Sequence, residues 1–307
     1  KFNTKKTEAT WVNTLGLAAG QALMLGLDYQ KEEVDSSTVY DEESRENSAG
    51  FAQFQMQLGA IDTNLGIRYD DNEQFGSHTT ASILAGIDLS ETFRLVGSFG
   101  EGFKAPTFND LYYPGFGNAS FVPEESKNIE IGLNADLGNV SATLAFFNNN
   151  IENLIQYNSA TFASDQTAEV EITGLEFNVN TEVSGWTLSL SGAVIDPENK
   201  SNGKLLRRRA EQSMTFDAGT TLNGVAIGIS VRSESHRYDD AANTVRLGGY
   251  TTTAMRASYR INDNWLVKAR VNNLTDKNYV TASSFSLGNY MPLGREAMIT
   301  VAYTPFQ

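Results

Sequence analysis

Cysteine is absent from this 307-residue chain, proline occurs 6 times and histidine twice. Without cysteine there is no disulfide framework and no thiolate metal site. Basic residues are in the minority, with 23 Lys and Arg against 37 Asp and Glu and a net charge of -14. The electrostatic footprint of a nucleic-acid binder is therefore missing. No stretch supplies the roughly 20 consecutive apolar residues that a membrane-spanning helix needs. The mean hydropathy of -0.31 rules out a helical bundle in lipid. It leaves a spanning β-barrel open, because such strands need apolar residues only at alternate positions over about 9–11 residues. The chain begins Lys1-Phe2-Asn3-Thr4, without a secretory signal. An exported protein is made with one, so the expectation is a start that has been processed or cut away.

What the chain does have is a rhythm of two. Trp186, Leu188, Leu190 and Val194 fall on one face of an extended segment, and Thr187, Ser189 and Ser191 on the other. The split recurs at Val140, Ala142, Leu144 and Phe146, and again at Ala81, Ile83, Ala85, Ile87 and Leu89. Short Gly-, Asn-, Asp- and Ser-rich turns are expected at 18–20, 59–63, 89–92, 136–140, 182–185, 220–224 and 261–264. Longer polar connections alternate with them at 31–46, 70–77, 103–124, 150–167, 195–204, 232–245 and 274–293. Fourteen connections make 15 strands. Short turns at one end and long loops at the other describe an antiparallel transmembrane β-barrel of the outer-membrane type, an all-β fold.

Direction follows from the loops. Short turns are periplasmic, so the last strand, about 295 to 306, ends at the periplasmic side and Lys1 starts at the extracellular rim. An odd strand count with termini on opposite sides leaves two unpaired edges, which is not viable in lipid. Residues 1–307 are thus expected to be one unit, the C-terminal part of a larger barrel. Trp11, Tyr29, Trp186, Trp265 and Tyr303 are expected near strand ends, as interfacial girdles.

The segment Gly100-Glu101-Gly102-Phe103-Lys104-Ala105-Pro106-Thr107-Phe108-Asn109-Asp110-Leu111-Tyr112, followed by Pro123-Glu124-Glu125-Ser126, closely resembles the barrel signature of TonB-dependent outer-membrane receptors. Further stretches match in order: Asn149 to Ile155, Ile172 to Glu176, Leu205 to Arg209, and Val271 to Tyr279. Gly294-Arg295-Glu296, leading into a strand that ends at Phe306, is also typical. Asn118-Ala119 departs from the family's frequent Asn-Pro, and Pro305 and Gln307 depart from its usual terminus. The resemblance implies a barrel of about 22 strands closed around a plug. Some 15 of those strands would lie here, with the plug absent from this chain. Within the family, the Leu-Leu-Arg-Arg run and the Arg237-Tyr238-Asp239 loop start are most similar to the cobalamin-importing branch.

The function implied is uptake of a scarce, large nutrient, a cobalamin or corrinoid, at the cell surface with TonB-derived energy. A siderophore or haem receptor of the same family is the alternative, and a passive porin is the rival from another class. The implied partners are the TonB-ExbB-ExbD complex through the missing N-terminal region, a periplasmic binding protein downstream, and outer-membrane lipid and lipopolysaccharide. No cofactor is expected beyond the transported ligand; in the cobalamin branch calcium sits in earlier loops, upstream of this chain. His78 and His236 have no triad partners, so no catalytic residues are expected. The acidic run Asp35, Asp41, Glu42, Glu43 and Glu46 lacks the spacing of a calcium loop and reads as solvated.

Candidate ligand-binding residues are Arg207, Arg208, Tyr238, Asp239 and Tyr290. Arg207, Arg208 and Arg209 are expected where a loop descends into a strand, with Arg208 opposing its neighbours. An arginine in mid-membrane lipid costs about 2–4 kcal/mol, which sends them to the rim or inward. By resemblance, Tyr238 and Tyr290 map near substrate-contacting positions. Lys268, Arg270 and Asn272 alternate with Val267, Ala269 and Val271 and are expected in the lumen, where a plug would need polar partners.

Overall fold

The computed structural model describes residues 1–158, 161–284 and 288–305, apart from the side chain of Ser284. Phe306 and Gln307, on which the terminal-strand expectation partly rests, lie outside the described residues. The first strands are β1 (Phe2–Ala18), β2 (Gln21–Ser36), β3 (Ser44–Leu58), β4 (Ile61–Asn72), β5 (Gly76–Asp88) and β6 (Phe93–Lys104). A short helix, α1 (Phe108–Tyr112), precedes β7 (Glu124–Asp136), β8 (Val140–Asn158), β9 (Ala163–Val183) and β10 (Trp186–Asn199). Next come β11 (Lys204–Leu205), β12 (Gln212–Leu222), β13 (Val225–Glu234), β14 (Arg237–Tyr238) and β15 (Arg246–Leu247). The chain closes with β16 (Tyr250–Arg260), β17 (Trp265–Asn272), β18 (Ala282–Ser284), β19 (Gly288–Tyr290) and β20 (Glu296–Tyr303).

Fifteen of these follow one path, β1 to β10 and then β12, β13, β16, β17 and β20, with β11 attached to β10. The small pairs β14–β15 and β18–β19 stand apart from it. All pairings are antiparallel, and the strand count is the one the turn pattern predicts. Two-residue turns at Ser184-Gly185 and Asn223-Gly224 have both central φ angles positive (51° and 77°, 49° and 81°). That handedness matches strand twist and favours Asn and Gly. Among the described residues no ladder joins β1 to β20, so the sheet is an open portion of a barrel wall.

The register assigns every side chain to a face. Leu144 pairs with Leu133 on β7 and Phe177 on β9; Leu190 pairs with Val179 and Phe216. The same apolar row contains Val140, Trp186 and Leu188, and reaches Val267 through Tyr259. One residue along, Thr143 pairs with Asn134 and Asn178, Ser189 with Asn180 and Asp217, and Lys268 with Ser258 and Thr300. The apolar face is the uncovered one: Ile67, Ile129, Ile131 and Phe146 are each about half exposed or more. A contiguous apolar surface of this extent belongs against lipid. The polar face carries ion pairs instead, such as Arg68 to Asp28 at 2.5 Å and to Asp70 at 2.8 Å, and Arg94 to Asp62 and Asp88, both at 2.7 Å.

Several expected long loops are shorter than the alternation suggests. β4 and β5 run on to Asn72 and from Gly76, β8 reaches Asn158, and β10 reaches Asn199. Above the membrane both faces of a hairpin meet water, so alternation fades while the backbone ladder continues. Trp11 and Tyr29 sit mid-strand in β1 and β2 and not near strand ends, because these strands run on for the same reason. Trp186, Trp265 and Tyr303 do lie at strand ends, with Trp265 and Tyr303 ring to ring at 4.6 Å. Lys31, expected in an exposed loop, is on β2 and pairs with Glu46 at 3.1 Å.

Candidate ligand-binding mouth

Burial concentrates at the long-loop end. The connection between β6 and β7, which carries the Ala105-Pro106-Thr107 motif, crosses this end as a strap. Thr107 caps α1 in a reciprocal box with Asp110, satisfying two helix-terminal donors in a segment too short to hold itself. Pro106, Phe108 and Leu111 are buried, and Phe108 packs with Val34 and Tyr40. Arg45 on β3 donates to the Pro106 carbonyl at 2.9 Å and to Glu32 at 2.6 Å, with its guanidinium 5.1 Å from the Phe108 ring. On the other side, Ser164 donates to Asp110 at 2.9 Å and Gln166 to the Val122 carbonyl at 2.7 Å. The signature residues thus brace the mouth.

The arginine run does not descend into a strand as expected. Arg207 to Arg209 lie in a turn between β11 and β12, and Arg208 has a positive φ of 57°. The cause is the burial of Leu206 against Leu154, Val170 and Ile172, which draws the chain inward before β12 begins. Alternation therefore does not decide where these side chains point. Arg208 forks onto Asp239, Nε to Oδ1 at 2.7 Å and Nη2 to Oδ2 at 3.3 Å, and its N–H donates to the Tyr238 carbonyl at 2.6 Å. Asn243 exchanges two hydrogen bonds with Leu205, both at 2.9 Å. Segments 204–208 and 238–247 are thereby one unit.

Of the five candidates, Arg208, Asp239 and the backbone of Tyr238 build this clamp. Asp239 is buried and Arg208 is partly open to solvent. The hydrogen bond that Arg208 donates to Asp239 holds its guanidinium above the ordinary pKa against the opposing effect of burial, and Tyr157 and Tyr290 add to the rise. Arg207 is different. Among the described residues it has no hydrogen bond or ion pair, and its guanidinium lies over the Tyr157 ring at 5.8 Å. Burial first, and then Arg208, push its pKa down, opposed by Asp239, Asp165 and Tyr157. Tyr290 holds its place through its carbonyl, which accepts from Thr281 N at 2.9 Å, leaving an exposed ring.

Three ring residues were not among the candidates. Tyr157 stacks with Phe116 at 6.2 Å, and Phe116 meets Tyr113 edge-on at 6.3 Å. Tyr113 and Tyr157 remain exposed, so rings from the strap and the β8–β9 hairpin form a ledge beside Arg207. Tyr113, the residue that follows the signature's Tyr112, was the available signal. At the two ends of the acidic run near β2 and β3, Asp35 pairs with Lys1 at 2.7 Å and Glu46 with Lys31 at 3.1 Å. Among the described residues no His, Cys, Asp and Glu group is arranged to hold a metal ion.

An apolar outer face, a charged inner face, short turns below and a braced mouth above define a transmembrane β-barrel wall of the outer membrane. The sequence model described as TonB dependent receptor-like, beta-barrel, matches residues 1–274, and the chain belongs to that family. It is similar to the vitamin B12 transporter BtuB of Photobacterium profundum, 30% identical over 295 residues, which is 94% of this chain and 49% of the relative. It is 28% identical to the BtuB of Vibrio vulnificus, covering 98% of this chain and 50% of that protein. The chain therefore spans about half the length of the relatives it matches. Solved structures share the fold. A ferric enterobactin receptor (PfeA) variant from Pseudomonas aeruginosa superposes with a TM-score of 0.82 at 17% identity, over 98% of this chain and 54% of that one. The siderophore receptor PirA from Acinetobacter baumannii gives 0.81 at 16% identity, over 98% and 55%.

Proposed function

We propose that this chain is the C-terminal part of the barrel of an outer-membrane active-transport receptor whose ligand is cobalamin or a related corrinoid. The observation that carries the ligand is the 30% identity to a vitamin B12 transporter across 94% of the chain. The likeness to siderophore receptors is at 17% identity or less and speaks for the fold. Ligand capture is proposed at the mouth, by Arg207 and Tyr290 with the Tyr157 ledge, on a platform set by Arg208, Tyr238 and Asp239. Passage would follow displacement of a plug, driven through TonB, ExbB and ExbD, with delivery to a periplasmic binding protein. The inner face, with Arg256 3.1 Å from Asp217 and with Lys268 and Arg270 nearby in register, suits a polar plug surface. The test is ligand binding to the full-length receptor, cyanocobalamin against ferric enterobactin. Saturable binding of cyanocobalamin at concentrations where the siderophore does not compete is expected; the reverse order would overturn the assignment.

A further inference from the structure

The inner face of the wall is not uniform. On β16 and β17 Arg256 stands directly opposite Arg270, with Lys268 one inner position nearer the periplasm. Among the described residues Asp217 is the single carboxylate paired with this group. On β7 and β9 Glu130 and Glu176 border an inner hollow, and neither has an ion pair among the described residues. Like charges facing each other across a sheet repel. Such walls call for fixed counter-charges, which the plug proposed above would supply.

The inner side of β2 to β5 differs. Beneath the strap, two hollows of about 370 and 470 Å³ lie end to end and share Arg68 and Thr80. Their charges are already taken up: Arg45 by Glu32, Arg68 by Asp28 and Asp70, Lys104 by Glu124 and Glu46 by Lys31. The exception, Glu101, accepts the Ala81 N–H at 3.1 Å. What stays free is amide. Gln53 lies in the lower hollow opposite Gly66, and one inner position further down Gln55 pairs with Asn64. Gln57, opposite Asp62, ends the row just before the periplasmic turn. Among the described residues none of these four amides has a side-chain hydrogen bond. β7 and β9 carry inner amides too, but Asn134 accepts from Thr143 at 2.9 Å and Asn180 donates to Asn178.

Inner residues along one strand stand about 7 Å apart. A cargo with several neutral polar groups can therefore bond the next amide before it leaves the last. Exchanging one neutral hydrogen bond for another changes little in free energy, whereas a free charge binds more strongly. Passage needs a series of sites weak enough to leave. We propose that the inner face of β2 to β5, from the hollow beneath the strap down to Gln57, is the lane by which the ligand crosses the barrel. It takes a large ligand whose polar groups are mostly uncharged carboxamides. The proposal rests on the corrinoid reading, since a corrinoid carries most of its polar groups in that form.

The test uses the full-length receptor in cells, with cyanocobalamin binding at the surface and TonB-dependent uptake measured separately. Gln53→Leu, Gln55→Leu and Asn64→Leu together keep side-chain size and remove the free amides. Uptake should fall about tenfold at unchanged surface binding, the size of effect of one lost hydrogen bond. The matched control, Asn134→Leu, Asn178→Leu and Asn180→Leu, should import at the wild-type rate. Equal uptake by the two triple variants, or wild-type uptake by the first, would overturn the lane. Entry that no longer needs TonB would assign these amides to seating the plug and would also overturn it. A wild type that binds no cyanocobalamin would instead overturn the ligand reading on which the lane rests. If a triple variant fails to assemble, Gln55→Leu against Asn180→Leu decides, since both side chains are exposed.

Discussion

Arg208 and Asp239 form a forked ion pair across 31 residues of sequence, with the carboxylate 3% exposed and the guanidinium 43% exposed. The asymmetry sets the consequences of breaking it. Removing Asp239 leaves a cation that water can solvate, whereas removing Arg208 strands a buried carboxylate.

Arg208→Ala should therefore destabilise the clamp more than Asp239→Ala. About 3 kcal/mol is expected against about 1.5 kcal/mol, the latter being one charge-assisted hydrogen bond to a half-open partner. Hydrogen exchange at the Asp239 amide, which donates to the Val245 carbonyl at 2.9 Å, reports the opening. Equal loss of protection in the two variants would refute the reasoning.

This pair also shows where sequence reasoning stopped. The wall was legible because lipid on one side and water on the other impose period two on each membrane-spanning segment, as at Trp186 to Val194. Above the membrane that contrast disappears, so the extensions of β4, β5 and β8 read as loops. α1 is five residues long and has no periodicity to show. Arg207 and Arg208 are indistinguishable as letters; their roles separate only when Asp239 folds back onto one of them. The signature around Pro106 was recognised as a motif, but its bracing work depends on Arg45, 61 residues earlier in the chain.

The brace is itself testable. Arg45 is buried and joins β3 to the strap, while its partner Glu32 is partly solvated. Arg45→Ala should cost about 2–3 kcal/mol, below the range for fully buried pairs because water reaches Glu32. Amides of α1 should lose hydrogen-exchange protection while those of β16 and β17 keep theirs. Unchanged protection in α1 would show that packing of Phe108 and Leu111 suffices.

The assignment of faces makes a sharper demand. Leu190 lies between Val179 and Phe216 on the outer face, and Ser191 between Asn178 and Thr215 on the inner. Leu190→Arg should destabilise the receptor by about 2–4 kcal/mol in a bilayer. Ser191→Arg should cost less than this, because the inner face is polar and keeps the arginine out of lipid. Urea unfolding of full-length protein in lipid vesicles measures both. A larger effect at Ser191 than at Leu190 would invert the wall.

Arg207 carries the prediction closest to function. It is a cation at the mouth without an ionic partner among the described residues, lying 5.8 Å from the Tyr157 ring and beside the Tyr113–Phe116 ledge. A guanidinium held over a ring is kept oriented with its donors free, and such arginines dominate binding where they become desolvated. Arg207→Ala in the full-length receptor should weaken cyanocobalamin binding about thirtyfold, equivalent to about 2 kcal/mol. Tyr157→Leu should give part of that loss by removing the ring that orients the guanidinium. Lys31→Ala is the control, since its exposed pair with Glu46 is worth at most about 1 kcal/mol and lies on β2. Barrel assembly, read as the shift in gel mobility on boiling, should be unchanged in all three. If Arg207→Ala binds as tightly as wild type at matched assembly, the ligand does not use this ledge, and Tyr290, on the Arg208 side, becomes the residue to substitute next.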